Sequence, residues 1–351
     1  MKALLLAGGL GTRLRPLTNF LPKPMVPIMG RPLLESTILR LKNQGVDEVV
    51  ISTCYKSNHI ENYFKNGEKL GVKVSFIKED IPLGTGGAIK NAEEFFNDTF
   101  LILNSDIICD IDIRSLVEYH KSKKALATIA MTKVEDPSQY GVIEYDDNDY
   151  ITAFKEKPKP YETNSKWINA GIYVFEPQLL NEIPKDEVVS IERDTYPKLL
   201  SKGYKMAAYR YDGYWIDIGT IEKYKKVHFD ILKKYCKYVD VSHHDIKHRK
   251  NIIDNSVKIV EPVFIGSNVK IDAKAEIGPY AIIGDNTHIG SNSIIRHSVL
   301  WDNVKVKGNV NLINAVVASN SVVDGMRKIE DEVYANGIND YAVSWWRCYE
   351  W

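Results

Sequence analysis

No CxxC pair occurs in this chain, and its four cysteines, Cys54, Cys109, Cys236 and Cys348, are scattered. That excludes a disulfide framework and a zinc site of the paired-cysteine kind, and reads as reduced thiols of a cytoplasmic protein. Nor is there an excess of either charge: 46 Lys+Arg balance 46 Asp+Glu. A bulk nucleic-acid binder, which carries a basic face, is thereby disfavoured, although a small cationic pocket is not. No apolar run approaches the roughly 18 residues that span a bilayer. The opening "MKALLLAGGL" has an apolar core too short for a leader, lacks an A-x-A site, and meets Arg13 and Arg15 too soon; it reads as a buried first strand.

What is present is an ordinary apolar share, 44% of 351 residues, enough for one or two packed domains. Over about the first 230 residues, strand-like and helix-like segments alternate. "KALLL" (2–6), "DEVVIST" (47–53), "VKVSFI" (72–77) and "TFLILN" (99–104) read as strands; 32–45, 56–66 and 86–96 read as helices. This alternation predicts an α/β domain with a mainly parallel sheet covered on both faces, its functional loops at the carboxyl ends of the strands.

From about residue 252 the texture changes. Isoleucines stand at 259, 265, 271, 277, 283, 289 and 295, every sixth residue, with glycines directly after four of them. A period of six fits neither a helical face nor an ordinary strand; it marks a hexapeptide β-helix, expected to be left-handed. After Ile295 the phase loosens, though the apolar texture persists to about 323. The expected organisation is a catalytic domain at 1–236, a linker at 237–251, the β-helix at 252–325 and an aromatic tail at 326–351. His243, His244 and His248 of the linker lack acidic or cysteine partners at ligand spacing and read as solvated. The tail, exposed, would be adhesive; it is expected to cap the β-helix, pack on the catalytic domain or meet another subunit.

The chemistry concentrates in "LAGGLGTRLRPLTNFLPKPMVPIMGRP", residues 5–31. Gly8, Gly9 and Gly11 let backbone N–H groups converge on an anion. Thr12 adds a hydroxyl, Arg13 a planar fork matched to phosphate oxygens, and Lys23 an ammonium aimed by the prolines on either side of it. Together they describe a polyphosphate site. GxxxxGK[ST] is missing, and no GxGxxG follows a strand, so this is neither a P-loop ATPase nor a dinucleotide fold.

This string resembles the signature of the sugar-nucleotide pyrophosphorylases, the nucleotidyltransferases that join an NTP to a sugar 1-phosphate. "LGTGGAI" (83–89), "LNSDIICD" (103–110), "YGVIE" (140–144), "FKEKP" (154–158), "INAGIYVF" (168–175), "SIERDTYP" (190–197) and "GYWIDIGT" (213–220) follow in the family's order, so the resemblance covers nearly the whole chain. It is closest to the mannose-1-phosphate guanylyltransferase branch. The resemblance implies a Rossmann-like catalytic domain, a magnesium cofactor, small-molecule substrates and a homo-oligomer formed through the β-helix and the tail. It implies neither nucleic acid nor membrane as a partner.

The site residues follow from the same resemblance. Leu6, Ala7, Gly8, Gly9, Gly11, Thr12 and Arg13 would bind the nucleotide, with Gly84, Thr85 and Gly86 presenting backbone groups to the base. Arg13 would hold the β and γ phosphates, and Lys23 the transferring region. Asp106, at the carboxyl end of a strand, and Asp217 would hold Mg²⁺, with Asp110 a weaker outer partner. Gly141, Glu156, Lys157, Asn169 and Gly171 would bind the sugar and its phosphate. A nucleotide-sugar-sensing regulatory relative would interrupt the loop or lose the aspartates; here Arg13, Lys23, Asp106 and Asp217 all stand. An acetyltransferase role for the β-helix would need more coils and a catalytic histidine; His288 and His297 lie in it, but it is short, and a structural role is expected. Heptose 1-phosphate with GTP, and glucose 1-phosphate with UTP or dTTP, are the alternative substrate pairs, because epimers differ by one hydroxyl direction.

Overall fold

The computed structural model describes residues 1–239, 250–326 and 328–335. The three linker histidines and, of the aromatic tail, residues 327 and 336–351 lie outside the described residues. The elements before the solenoid are β1 (Lys2–Leu6), β2 (Pro27–Ile28), β3 (Arg31–Pro32), α1 (Leu33–Asn43), β4 (Glu48–Thr53), α2 (Ser57–Phe64), β5 (Lys73–Lys78), α3 (Gly84–Asn91), β6 (Phe100–Asn104), β7 (Ile107–Cys109), α4 (Ile113–Lys123), β8 (Ala127–Lys133), β9 (Gly141–Tyr145), β10 (Ile151–Glu156), β11 (Trp167–Phe175), α5 (Tyr196–Ser201), β12 (Met206–Arg210), β13 (Trp215–Asp217) and α6 (Ile221–Leu232). No helix among the described residues is long and apolar enough to cross a membrane.

The chain divides into two compact units: Met1–Leu10 with Thr37–Asp217, and Gly11–Ser36 with the chain from Ile218 onward. The first is built on a nine-stranded mixed sheet in which β10-β9-β11-β6-β1-β4-β5 run side by side and β8 joins β11 to β12. The half around β1 is parallel: β1 pairs with β4 and β6, and β4 with β5. β11 then enters antiparallel to β6, β8 and β9. β1 lies inside the sheet with Ala3, Leu4 and Leu5 wholly buried, which is why its sequence is a continuous apolar run rather than an alternation. One core joins both halves, from Leu4 and Val50 through Ile102 to Met131, Tyr173 and Tyr196.

The helix expected over 86–96 starts earlier and ends sooner, at Gly84–Asn91, followed by a 3₁₀ turn at Glu93–Phe95. Its glycine-rich first turn is compatible with a helix because the neighbouring chain packs against it, as described below.

In the second unit, residues 252–334 form three parallel sheets of five short strands. Ile253, Ile271, Ile289, Val306 and Val323 stack in register. So do Ile259, Ile277, Ile295, Leu312 and Ile329, and Ile265, Ile283, Leu300, Val317 and Tyr334. The pattern after Ile295 is therefore not lost. One step per coil shortens from six residues to five, at Ile295 to Leu300, Leu312 to Val317 and Ile329 to Tyr334. The stack runs on to Tyr334, past the point where a fixed six-residue period fades. The shortened corner is tolerated because the strands on either side keep their pairing: Ile295 still pairs with Ile277 before it, and Leu300 with Ile283 after it. Asn268, Asn286, Asn292, Asn303, Asn309, Asn314 and Asn320 take the left-handed corner conformation, which asparagine adopts at lower cost than most residues.

Asp302 is an anomaly in this stack. Its Oδ1 accepts the Asp285 N–H at 2.9 Å, while burial, with Asp285 adding repulsion, pushes its carboxyl up to about 7. An acid whose folded-state value is raised binds more protons folded than unfolded, so stability falls as pH rises from about 4 through about 7. Asp302→Asn keeps the acceptor and removes the buried charge. It is expected to raise stability at pH 8 by on the order of 2 kcal/mol and to make no difference at pH 4, as read by urea melts at the two pH values.

Candidate active site

The carboxyl ends of the central strands form one continuous edge of the first unit. Leu6 pairs with Ser52 and with Asn104, so three strands end at one level. The Ala7 N–H donates to the Ser52 carbonyl (2.8 Å), and the Ser105 N–H to the Leu6 carbonyl (3.1 Å). Gly8 and Asp106 therefore leave neighbouring strands two residues beyond a paired position. Gly9 is exposed, with open space where a side chain would stand.

Asp217 reaches this edge by a pairing that no local pattern announces. β13 lies antiparallel to β7, with Asp217 opposite Ile107, the residue after Asp106. Asp217 is buried, and its Oδ1 accepts from the Tyr140 hydroxyl at 2.9 Å. The Trp215 ring stands edge-on to Tyr140, and its indole N–H donates to the Ala170 carbonyl (2.9 Å), fixing β13 against β11. Asp110 is otherwise engaged: its carboxylate pairs with Arg40 at 3.3 Å. No group of three or more His, Cys, Asp or Glu side chains placed to hold a metal ion occurs among the described residues. Asp106 and Asp217 are the residues that would hold Mg²⁺, which takes one or two carboxylates together with phosphate oxygens and water.

The residues expected on the sugar side lie on, or directly after, β9, β10 and β11 of the same sheet. β11 bulges between Asn169 and Tyr173, and Gly171 takes φ +73° there. A β-carbon on Gly171 would come within 2.8 Å of the Asn104 amide, so only glycine brings β11 this close to the strand leading to Asp106. Asn169 holds the bulge: its Oδ1 accepts the Gly171 N–H (2.9 Å), and its Nδ2 donates to the Tyr173 hydroxyl (2.7 Å). One amide N–H and one lone pair remain for a ligand. Gly141 pairs with Glu156, and a β-carbon there would strike the Phe154 ring at 2.5 Å. Burial holds the half-buried Glu156 carboxyl above the usual carboxylate range, with Glu192 adding repulsion and Lys157 and Arg193 opposing. Lys157 is exposed, its Nζ 3.8 Å from Glu156 Oε1.

Gly84, Thr85 and Gly86 make the first turn of α3 and are already partly committed. The Gly86 N–H donates to the Val189 carbonyl (2.9 Å), and the Val189 N–H to the Leu83 carbonyl (2.9 Å). The Thr85 hydroxyl donates to Glu192 Oε2 (2.7 Å) and accepts the Ile191 N–H (3.1 Å). A β-carbon on Gly84 would lie 2.5 Å from the Val189 carbonyl oxygen. The glycines thus admit the chain at 187–192 before they serve any ligand.

Three side chains that the sequence did not single out, Glu79, Tyr140 and Glu192, stand against the expected site residues Gly8, Asp217 and Thr85. Glu79 is buried just beyond β5; its Oε1 accepts from the Ser52 hydroxyl (2.6 Å) and its Oε2 from the Leu83 N–H (3.0 Å). A β-carbon on Gly8 would stand 3.6 Å from its Oε1. The only local signal was an acidic pair, Glu79–Asp80, beyond an apolar strand.

Gly11, Thr12, Arg13 and Lys23 belong to the second unit. Gly11, at φ +61°, starts a 3₁₀ turn over Thr12–Leu14 that buries Leu14 and leaves Thr12 and Arg13 exposed. The Thr18 hydroxyl donates to the Gly11 carbonyl (2.8 Å). A β-carbon on Gly11 would meet the Lys23 Cβ at 3.0 Å, so the loop folds back until Lys23 stands beside its glycine. Lys23 opens a second 3₁₀ turn, Lys23–Met25, entered through Pro22 and continued by Pro24. The prolines restrain the backbone of a half-buried lysine.

The family description "Nucleotidyl transferase" matches residues 2–234, and "GMPPB C-terminal domain" matches residues 259–339. A UTP–glucose-1-phosphate uridylyltransferase of Synechocystis is 33% identical over 344 residues, covering 92% of this chain and 89% of the relative. A mannose-1-phosphate guanyltransferase of Yarrowia lipolytica is 37% identical over 365 residues, 96% of this chain and 94% of the relative. Among solved structures, HddC from Yersinia pseudotuberculosis, determined also in complex with GMP-PN, matches with a TM-score of 0.57 at 33% identity, over 66% of this chain and 99% of that one.

Proposed function

The chain belongs to the nucleotidyl transferase family, and on that premise we propose that it transfers a guanylyl group from GTP to mannose 1-phosphate, releasing pyrophosphate and forming GDP-mannose. The observation that supports this reading is the register of β13 on β7, with Asp217 opposite Ile107, the residue after Asp106, at the edge where the glycine loop leaves β1. The sugar phosphate oxygen attacks the α-phosphorus of the nucleotide, a P–O bond forms, and the bond to the bridging oxygen breaks as pyrophosphate departs. The nucleophile is already anionic, so no activated serine or cysteine is needed. The obstacle is repulsion between two polyanions, and catalysis is then positioning and charge stabilisation. Mg²⁺, held by Asp106 and Asp217, would neutralise phosphate charge when bound. Arg13 takes the β and γ phosphates, and Lys23 the charge at the transferring phosphorus. Gly8, Gly9 and Gly11 offer backbone N–H groups; Asn169, Glu156 and the Gly141 and Gly171 backbones hold sugar hydroxyls; Lys157 faces the sugar phosphate.

Glu79 stands beside Gly8 and already accepts from Ser52 and Leu83; its remaining lone pairs are the groups proposed here to favour guanine over uracil. Guanine presents two adjacent donors, N1–H and the exocyclic N2–H, which a carboxylate accepts together. Uracil and thymine present one N–H between two carbonyls, and a second carboxylate oxygen would repel these. Reduced thiols at Cys54, Cys109 and Cys236 suit a cytoplasmic setting, and the flat faces of the β-helix suit a homo-oligomer.

The test is pyrophosphate release with Mg²⁺ from GTP, ATP, UTP, CTP and dTTP, each against mannose, glucose and heptose 1-phosphates. GTP with mannose 1-phosphate is expected to dominate, and Glu79→Gln to reduce the GTP-over-UTP ratio of kcat/KM by at least about tenfold. Dominance of glucose 1-phosphate with UTP, the reaction named for the Synechocystis relative, would overturn the substrate assignment and keep the chemistry. Silence of well-folded protein toward every pair would overturn the enzyme.

A further inference from the structure

The hairpin that follows Lys23 is fastened in an unusual way. β2 and β3 are joined by Met29 and Gly30, both at positive φ (50° and 82°), the two-residue turn that suits the twist of a hairpin. Ile28 pairs with Arg31 across the turn, and the Leu33 N–H donates to the Val26 carbonyl (3.1 Å) two positions further. The pair between them, Pro27 opposite Pro32, is then a non-hydrogen-bonded pair. Both positions tolerate proline because the ladder asks for no N–H there. The same geometry turns the Pro27 carbonyl away from β3, so a buried acceptor must find its donor elsewhere.

That donor is the Tyr224 hydroxyl of α6, 2.7 Å from the Pro27 oxygen, and Tyr224 in turn accepts from the indole N–H of Trp301 in the β-helix at 2.8 Å. Tyr224 is wholly buried and Trp301 nearly so. α6 is itself clamped on the solenoid: Lys225 Nζ donates to the Asn314 carbonyl (3.0 Å) and to its side-chain oxygen (2.8 Å), and Phe229 packs on Tyr280 and His297. The His228 Nδ1–H, donating to the Tyr224 carbonyl at 2.8 Å, keeps the imidazole edge-on to the Tyr224 ring. Beside the relay a small cavity, lined by Pro27, Gly30, Tyr224, His228, Trp301 and Asp302 among others, interrupts the packing.

We propose that the β-helix positions the transferring lysine: Trp301, through Tyr224, fixes the Pro27 carbonyl and with it the proline-stiffened segment that carries Lys23. Tyr224 and Trp301 are positioning residues that touch no substrate. From Pro22 to Pro27 the chain has little freedom, with 3₁₀ bonds from Met25 to Pro22 and from Val26 to Lys23. Holding one end therefore aims the other. This inference rests on the role given to Lys23 above.

The test uses the full chain and three variants. Tyr224→Phe removes the donor to Pro27 and is expected to lower kcat about tenfold to a hundredfold, with KM for both substrates within about threefold, because a displacement near 1 Å has that cost. Trp301→Phe leaves the Tyr224–Pro27 bond in place and is expected to cause a smaller fall of the same kind. Ile271→Ala deletes solenoid core away from the relay and is expected to lower Tm with no change in kcat at temperatures well below melting. Hydrogen exchange reads the relay without activity: Tyr224→Phe should speed exchange in peptides covering 22–31 and leave those covering 263–295 unchanged. Equal loss of kcat in Ile271→Ala at equal loss of Tm would overturn the proposal, as would unchanged exchange at 22–31 in Tyr224→Phe. If the unmodified protein releases no pyrophosphate from any substrate pair, the catalytic reading fails, and with it the purpose assigned to the relay, while exchange still reports whether the relay holds the hairpin.

Discussion

Lys23→Ala is expected to lower kcat by about 10² to 10³, the loss seen when a charge-stabilising donor is removed from a transition state. This lysine is half-buried, its Cβ stands 3.0 Å from where Gly11 would carry one, and Pro22 and Pro24 restrain its backbone on both sides. Those prolines and the buried Met25 and Val26 remain in the variant, so Tm is expected to change little. Negative charge grows on the departing bridging oxygen as the sugar phosphate closes in, and an ammonium aimed there gains most at that moment. An interaction made only in the transition state lowers kcat and kcat/KM equally, and steady-state kinetics separate it from ground-state binding. A raised KM with unchanged kcat would make Lys23 a binding residue only. Lys23→Arg retains charge but presents a planar fork in place of a compact ammonium, and is expected to recover only part of the rate.

Asp106→Asn and Asp217→Asn are each expected to lower kcat at least about 100-fold and to raise the Mg²⁺ concentration for half-maximal rate. A divalent ion contributes several kcal/mol of charge stabilisation to phosphoryl chemistry, and each 1.4 kcal/mol or so is tenfold in rate. Both substitutions keep shape and remove charge; in Asp217→Asn the side-chain oxygen still accepts from Tyr140. Because the two carboxylates serve one ion, the double variant is expected to be no worse than the poorer single one, a non-additivity that independent roles would not give. Magnesium titration of the rate checks the assignment. Asp110→Asn is the control: it breaks the ion pair with Arg40 and is expected to leave the magnesium dependence unchanged. If Asp110→Asn shifts that dependence and Asp217→Asn does not, the ligand assignment is inverted.

What could be read without coordinates was whatever is written in short-range spacing. The apolar run at 2–6 became β1 at Lys2–Leu6, and the six-residue isoleucine period became three stacked sheets, because each is enforced by neighbours within one strand or one coil. The glycine loop and its proline-framed lysine were legible for the same reason, since residue type there constrains the backbone directly.

Tertiary structure decided the rest. The step from Ile295 to Leu300 fits the stack because Ile295 still pairs with Ile277 and Leu300 with Ile283, a constraint between coils rather than within one. Gly84, Gly86 and Thr85 looked like ligand groups, yet they first admit Val189 and Glu192, about a hundred residues away. The pairing of Asp217 with Ile107, the burial of Glu79 behind Gly8, and the bond from Tyr224 to Pro27 likewise join residues far apart in the chain. Local periodicity fixes which face of a segment is apolar; it carries no record of which distant segment will cover that face, because that choice is made by register and by burial of polar groups once the whole chain has packed.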